Sequence, residues 1–113
     1  IVSADGQAVK TFYKESLGTV MSESEANTLT ELMKGVVQSG TAVSLSDLPY
    51  NIAGKTGTAE KKKDQNDKNG EEIGWFNAFD DQNNLIISMC ENVKNKGGSH
   101  YVVKKTKEIF EET

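Results

Sequence analysis

The chain has one cysteine, one histidine and one proline among 113 residues, and the scarcity has consequences. Cys90 alone cannot form a disulfide within the chain; it sits in an apolar run and reads as a small buried hydrophobe. His100 alone supplies no Cys/His cluster for a metal, and no serine–histidine–carboxylate set can be built around it. No metal and no cofactor is therefore expected, and His100 is given a solvent-facing or capping role at the start of the last predicted helix. Positive charge is also short: 13 Lys and Arg stand against 17 Asp and Glu, a net charge of −4. A general nucleic-acid binder needs a basic face, so that class is set aside. No glycine-rich phosphate loop is present. No apolar run approaches the roughly 20 residues that span a bilayer, and no signal peptide is visible. The chain opens on Ile1-Val2 without a methionine and reads as a soluble, excised piece of a longer protein.

What is there suits one domain with one modest core. Ile1–Met21 reads as extended, with a hairpin turn at Asp5-Gly6. Ser22–Gln38 reads as a helix opened by a capping box, Ser22 with Glu25. Its apolar stripe, Ala26, Leu29, Leu32, Met33, Val36 and Val37, is assigned to core packing. Thr41–Tyr50, with the lone Pro49, is a connector. Asn51–Glu60 is a strand, and Lys61–Glu72 is a solvated loop whose lysine triplet is followed at once by acidic residues. Ile73–Phe79 and Leu85–Glu91 form a hairpin around a five-residue loop. Leu85–Cys90 is nearly continuous apolar and predicts a strand covered on both faces. Glu91 is expected to make a surface pair with a lysine such as Lys94 or Lys96. A last helix runs from Ser99 to about Glu112, with Val102, Val103, Thr106, Ile109 and Phe110 inward. The order predicts an α+β fold: an antiparallel sheet with helices packed on it.

The chemistry gathers at Lys55-Thr56-Gly57-Thr58. On a strand, Lys55 and Thr56 start out on opposite faces, so they serve one ligand only if it lies along the strand's edge. An edge strand offers unpaired N–H and C=O groups to such a ligand. Gly57, without a Cβ, allows close approach. Lys55 brings a positive charge and the threonine hydroxyls can donate to a carboxylate. The Thr58 N–H is placed to donate to a developing oxyanion. The pattern suits an extended, carboxylate-bearing peptide or a mimic of one.

The surroundings of this motif carry a resemblance. Leu32–Ala42 resembles a helix ending in a Gly40-Thr41-Ala42 turn, Ala53–Glu60 a Lys-Thr-Gly strand, Gly74–Phe79 a Trp-Phe strand, and Leu85–Glu91 and the final helix the elements that close the domain. In this order they resemble the C-terminal part of the transpeptidase domain of monofunctional, class B penicillin-binding proteins, across nearly the whole chain. The resemblance implies the C-terminal portion of the β-lactamase/transpeptidase-like fold, at the extracytoplasmic face of a bacterial membrane. It implies peptidoglycan stem peptides ending in D-Ala-D-Ala, and β-lactams, as ligands. By position, Lys55 would bind the ligand's carboxylate and support proton transfer, and the Thr56 and Thr58 hydroxyls would hold that carboxylate. Gly57 would admit the ligand, and the Thr58 N–H would be half of the oxyanion hole.

Two parts of that family's catalytic set are missing from residues 1–113. No serine in the chain is followed by lysine at the third position, and none begins Ser-x-Asn. Acyl transfer needs an activated nucleophile beside its base. The chain alone is therefore expected to show no transpeptidase or β-lactamase turnover. A β-lactam sensor domain and a non-catalytic, structural transpeptidase-like module are the alternatives. The family's sheet also takes strands from earlier in the chain, and a helical part covers its other face. Without the rest of the domain, the sheet is expected to expose an edge and an apolar face, and the chain to dimerise or swap elements.

Overall fold

The computed structural model describes residues 1–112. Helix α1, Glu23–Gln38, starts at a complete capping box: the Glu25 N–H donates to Ser22 Oγ and the Ser22 N–H to Glu25 Oε1, each at 3.1 Å. A short 3₁₀ turn, Val43–Leu45, follows and plants Leu45 in the core. Strands β1 (Ala53–Lys61), β2 (Glu71–Phe79) and β3 (Leu85–Cys90) form an antiparallel sheet in that order, and α2, Ser99–Glu112, closes the described chain. The fold is α+β, as the element order predicts.

The core lies between one face of the sheet and the two helices. Phe76 and Ala78 of β2 meet Val37 of α1, Val102, Val103 and Phe110 of α2, and Leu45, Ile52 and Val93 from the connections. Two glycines make this packing possible. A Cβ on Gly54 would stand 2.7 Å from the Phe76 ring, and one on Gly74 2.7 Å from Val102 Cγ2. Thr106 takes its hydroxyl inside by bonding to the Val102 carbonyl and to Ser88 Oγ, each at 2.9 Å. Lys107 ties α2 to the connector through Asp47 at 2.8 Å. The β2–β3 loop closes on Asp80, whose carboxylate accepts from the N–H groups of Gln82 and Asn84 and from the Asn84 amide.

Three expectations need correction. Leu85–Cys90 is not covered on both faces: its residues alternate, with Leu85, Ile87 and Met89 exposed, because both helices pack on the same side of the sheet. The α1 stripe is only half core. Val37 is buried, but Leu29 and Leu32 are exposed, since a three-stranded sheet is too narrow to cover the whole helix. Ile109 is likewise 46% exposed on α2. The surface pair expected of Glu91 does form, with Lys61 at 3.6 Å, while Lys94 reaches the carbonyls of Lys68 and Gly70. Residues 1–21 hold one isolated bridge, Val2 to Ala8, around the Asp5-Gly6 turn. Among the described residues no helix is long and apolar enough to cross a membrane.

Candidate active site

Strand β1 pairs with β2 alone, so its other side is a free edge among the described residues. The alternation of the strand divides the motif. Lys55 and Gly57 lie on the face away from the helices, opposite Asn77 and Trp75 of β2, and through them opposite Ile87 and Met89 of β3. Thr56 and Thr58 lie on the other side. Lys55 is exposed, and its ammonium bends back to donate to the Thr56 carbonyl at 2.7 Å. That contact fits a Thr56 carbonyl turned away from β2, toward the free edge. The two-residue period of the backbone then turns the Thr58 N–H to the same edge.

The four residues differ in exposure. Thr58 is exposed, whereas Thr56 keeps 9% of its surface and its Oγ1 lies 2.8 Å from Thr41 Oγ1. The structure thus brings Lys55, Thr56 and Thr58 to one edge, but engages the Thr56 hydroxyl with a threonine from the connector. Thr41 went unassigned in the sequence because it stands 15 residues away in a turn; the Gly40-Thr41-Ala42 signature marked that turn without its contact.

Gly57 differs from the glycines of the core. A Cβ there would meet only Trp75 Cβ, at an ordinary 3.6 Å. Nothing within the described chain requires glycine at this position, so the space above it is open to something outside the chain. A wide hollow lies elsewhere, between Lys61, Asp64, Asp67, Asn69 and Glu71 of the β1–β2 loop. Its aspartates are already bound in local turns, Asp64 to the Asn66 N–H and Asp67 to the N–H groups of Lys63 and Asn69. The candidate residues of the motif therefore lie along β1 and not in that hollow. His100 is exposed at the start of α2 and Cys90 half-buried on β3, both apart from the motif in the sheet. No group of three or more metal-ligating side chains exists among the described residues.

Comparison with known proteins places the whole pattern. Residues 2–113 match the penicillin binding protein transpeptidase domain. Penicillin-binding protein 3 of Bacillus subtilis is 38% identical over 115 residues, which cover 98% of this chain and 17% of that relative. Penicillin-binding protein 2a of Streptococcus pneumoniae is 40% identical over 60 residues, 53% of this chain and 8% of that protein. The chain thus spans less than a fifth of the length of these relatives. With its three-stranded antiparallel sheet, its two helices on one face and a match from residue 2 to residue 113, the chain belongs to the penicillin-binding protein transpeptidase domain family.

Proposed function

We propose that this chain supplies the Lys-Thr-Gly wall of a peptidoglycan D,D-transpeptidase of the monofunctional, class B kind, acting at the extracytoplasmic face of the membrane. A serine outside residues 1–113 attacks the carbonyl of the penultimate D-Ala of a stem peptide. The Ser–O–C bond forms, the peptide bond breaks and the terminal D-Ala leaves with the proton. An amine of a second stem peptide then attacks the ester, makes the cross-link and returns the serine. In this reaction Lys55 attracts the terminal carboxylate, Thr56 and Thr58 donate hydroxyl protons to it, and the Thr58 N–H stabilises the oxyanion. A β-lactam enters the same path and stays as the acyl group.

The observation that carries this reading is the free edge of β1, with Lys55 bent along it and Gly57 open without an internal need for glycine. The chain alone lacks the nucleophile and performs no turnover. The test uses a fluorescent penicillin on the full-length protein that contains this segment and on the isolated chain. The full-length protein is labelled covalently, its Lys55→Ala variant is labelled far more slowly, and the isolated chain is not labelled. Time-dependent covalent labelling of the isolated chain would overturn the assignment of the nucleophile to another segment. Equal labelling of wild type and Lys55→Ala would overturn the role of the motif.

A further inference from the structure

We propose that Thr41 is a positioning residue of this site, resting on the reading above. Its hydroxyl donates to Thr56 Oγ1 and so leaves the Thr56 proton free to be aimed at the ligand's carboxylate.

The two oxygens are 2.8 Å apart, and geometry allows either to donate. A threonine hydroxyl has one proton and two lone pairs. If Thr56 gave its proton to Thr41, it would present only lone pairs outward, and a carboxylate would be repelled. If Thr41 donates, Thr56 keeps a proton to give. A carboxylate at the site selects the second arrangement, because a hydrogen bond to an ionised acceptor is stronger than one between neutral groups. The bonds then run in series, Thr41 O–H to Thr56 O–H to carboxylate, and each polarises the next. Lys55 places the anion correctly for this: its ammonium sits 2.7 Å from the Thr56 carbonyl, so a carboxylate drawn to it arrives beside Thr56.

The Thr41 hydroxyl is held by a fixed backbone. The N–H groups of Gly40 and Ala42 both donate to the Val36 carbonyl at 3.1 Å, and the Val43 N–H donates to the Gly40 carbonyl at 3.2 Å. A Cβ on Gly40 would stand 2.9 Å from the Val36 backbone, and Ala42 is fully buried. The end of α1 thus carries Thr41 rigidly to the edge of β1. Among the described residues, the contact between the two hydroxyls is the only side-chain hydrogen bond either makes. Thr41 itself stays exposed. Its place is explained by what it does to Thr56 and not by core packing.

The test measures acylation of the full-length protein by benzylpenicillin and by its methyl ester, which lacks the anionic carboxylate. Thr41→Val is expected to slow acylation by the acid about tenfold, the worth of one aimed hydrogen bond. It should leave the ester rate and the melting temperature unchanged. Thr41→Ser, which keeps the hydroxyl, should react as wild type does. In a Thr56→Val background, Thr41→Val should cost nothing further, and this cycle gives the answer even where the ester reacts too slowly to time. A loss in Thr41→Val that persists undiminished in the Thr56→Val background, or falls equally on acid and ester, makes Thr41 merely structural and overturns the proposal. An unchanged Thr41→Val rate with the acid overturns it too. Failure of the wild-type protein to be acylated at all defeats the transpeptidase reading itself, a result separable from the others.

Discussion

Glycines 54, 57 and 74 share one sheet and have different reasons to be there. At Gly74 a methyl group would press to 2.7 Å from Val102 Cγ2, deep in the contact between β2 and α2. Gly74→Ala is therefore expected to destabilise the domain by about 1–3 kcal/mol, the usual cost of overpacking a core. At Gly57 the nearest atom would be Trp75 Cβ at 3.6 Å, so Gly57→Ala should leave the melting temperature within a few degrees of wild type. Acylation of the full-length protein should nevertheless slow if the ligand lies over this position as proposed, because the added methyl would stand in its way. Thermal melting and penicillin labelling of both variants check the pair: a Gly57→Ala protein that melts like Gly74→Ala would remove the case for an external occupant. The place of this position on an edge strand was legible in the sequence because Lys55, Thr56, Gly57 and Thr58 are contiguous and a strand's alternation fixes their faces. Thr41 was not, since a bond between hydroxyls 15 residues apart exists only once the end of α1 has been packed against β1.

The elements themselves were read well wherever a local signal fixed them, as with the capping box of α1 and the five-residue loop between β2 and β3. That loop makes a pH prediction. The Asn84 side-chain amide holds the Asp80 carboxyl below its ordinary value; burial opposes it, and the N–H groups of Asn84 and Gln82 add to the lowering. The folded value is depressed, so Asp80 contributes stability above the unfolded pKa of about 3.9. That contribution is lost as pH falls through the folded value. Urea unfolding of wild type and Asp80→Asn from neutral to acid pH isolates it from the other carboxylates. The wild-type advantage should be full at neutral pH and shrink below about pH 4; an advantage that grows on acidification would contradict the role given to Asp80. Coverage was the harder thing to read. A continuous apolar run such as Leu85–Cys90 looks the same whether one or two layers pack on it, and only the placement of both helices on one face decides.

Over the whole molecule, the apolar surface left over is the main fact that the pattern of elements does not remove. The Cα radius of gyration is 17.5 Å, against about 13 Å for a compact domain of this length. The segment 1–21 contributes to the difference, with Phe12, Tyr13, Leu17 and Val20 all exposed on a chain that makes one isolated bridge. The sheet face away from the helices is bare as well. Ile87 is 62% and Leu85 66% exposed, and Met89 and Trp75 lie beside them in register. β3 has no strand on its outer side among the described residues. A contiguous apolar face next to an open strand edge favours association in water, and both features occur on the same strand. The isolated chain is therefore expected to self-associate, through this face, the β3 edge or an exchange of the 1–21 segment. Light scattering with increasing concentration should show a mass above the 12.3 kDa of one chain. Ile87→Lys, which puts a charge in the middle of the bare face, should shift the population toward monomer without loss of helix or sheet signal. Truncation of residues 1–21 separates an exchange of that segment from face-to-face pairing, since only the former would be abolished. A chain that scatters as a clean monomer at high concentration would overturn this expectation.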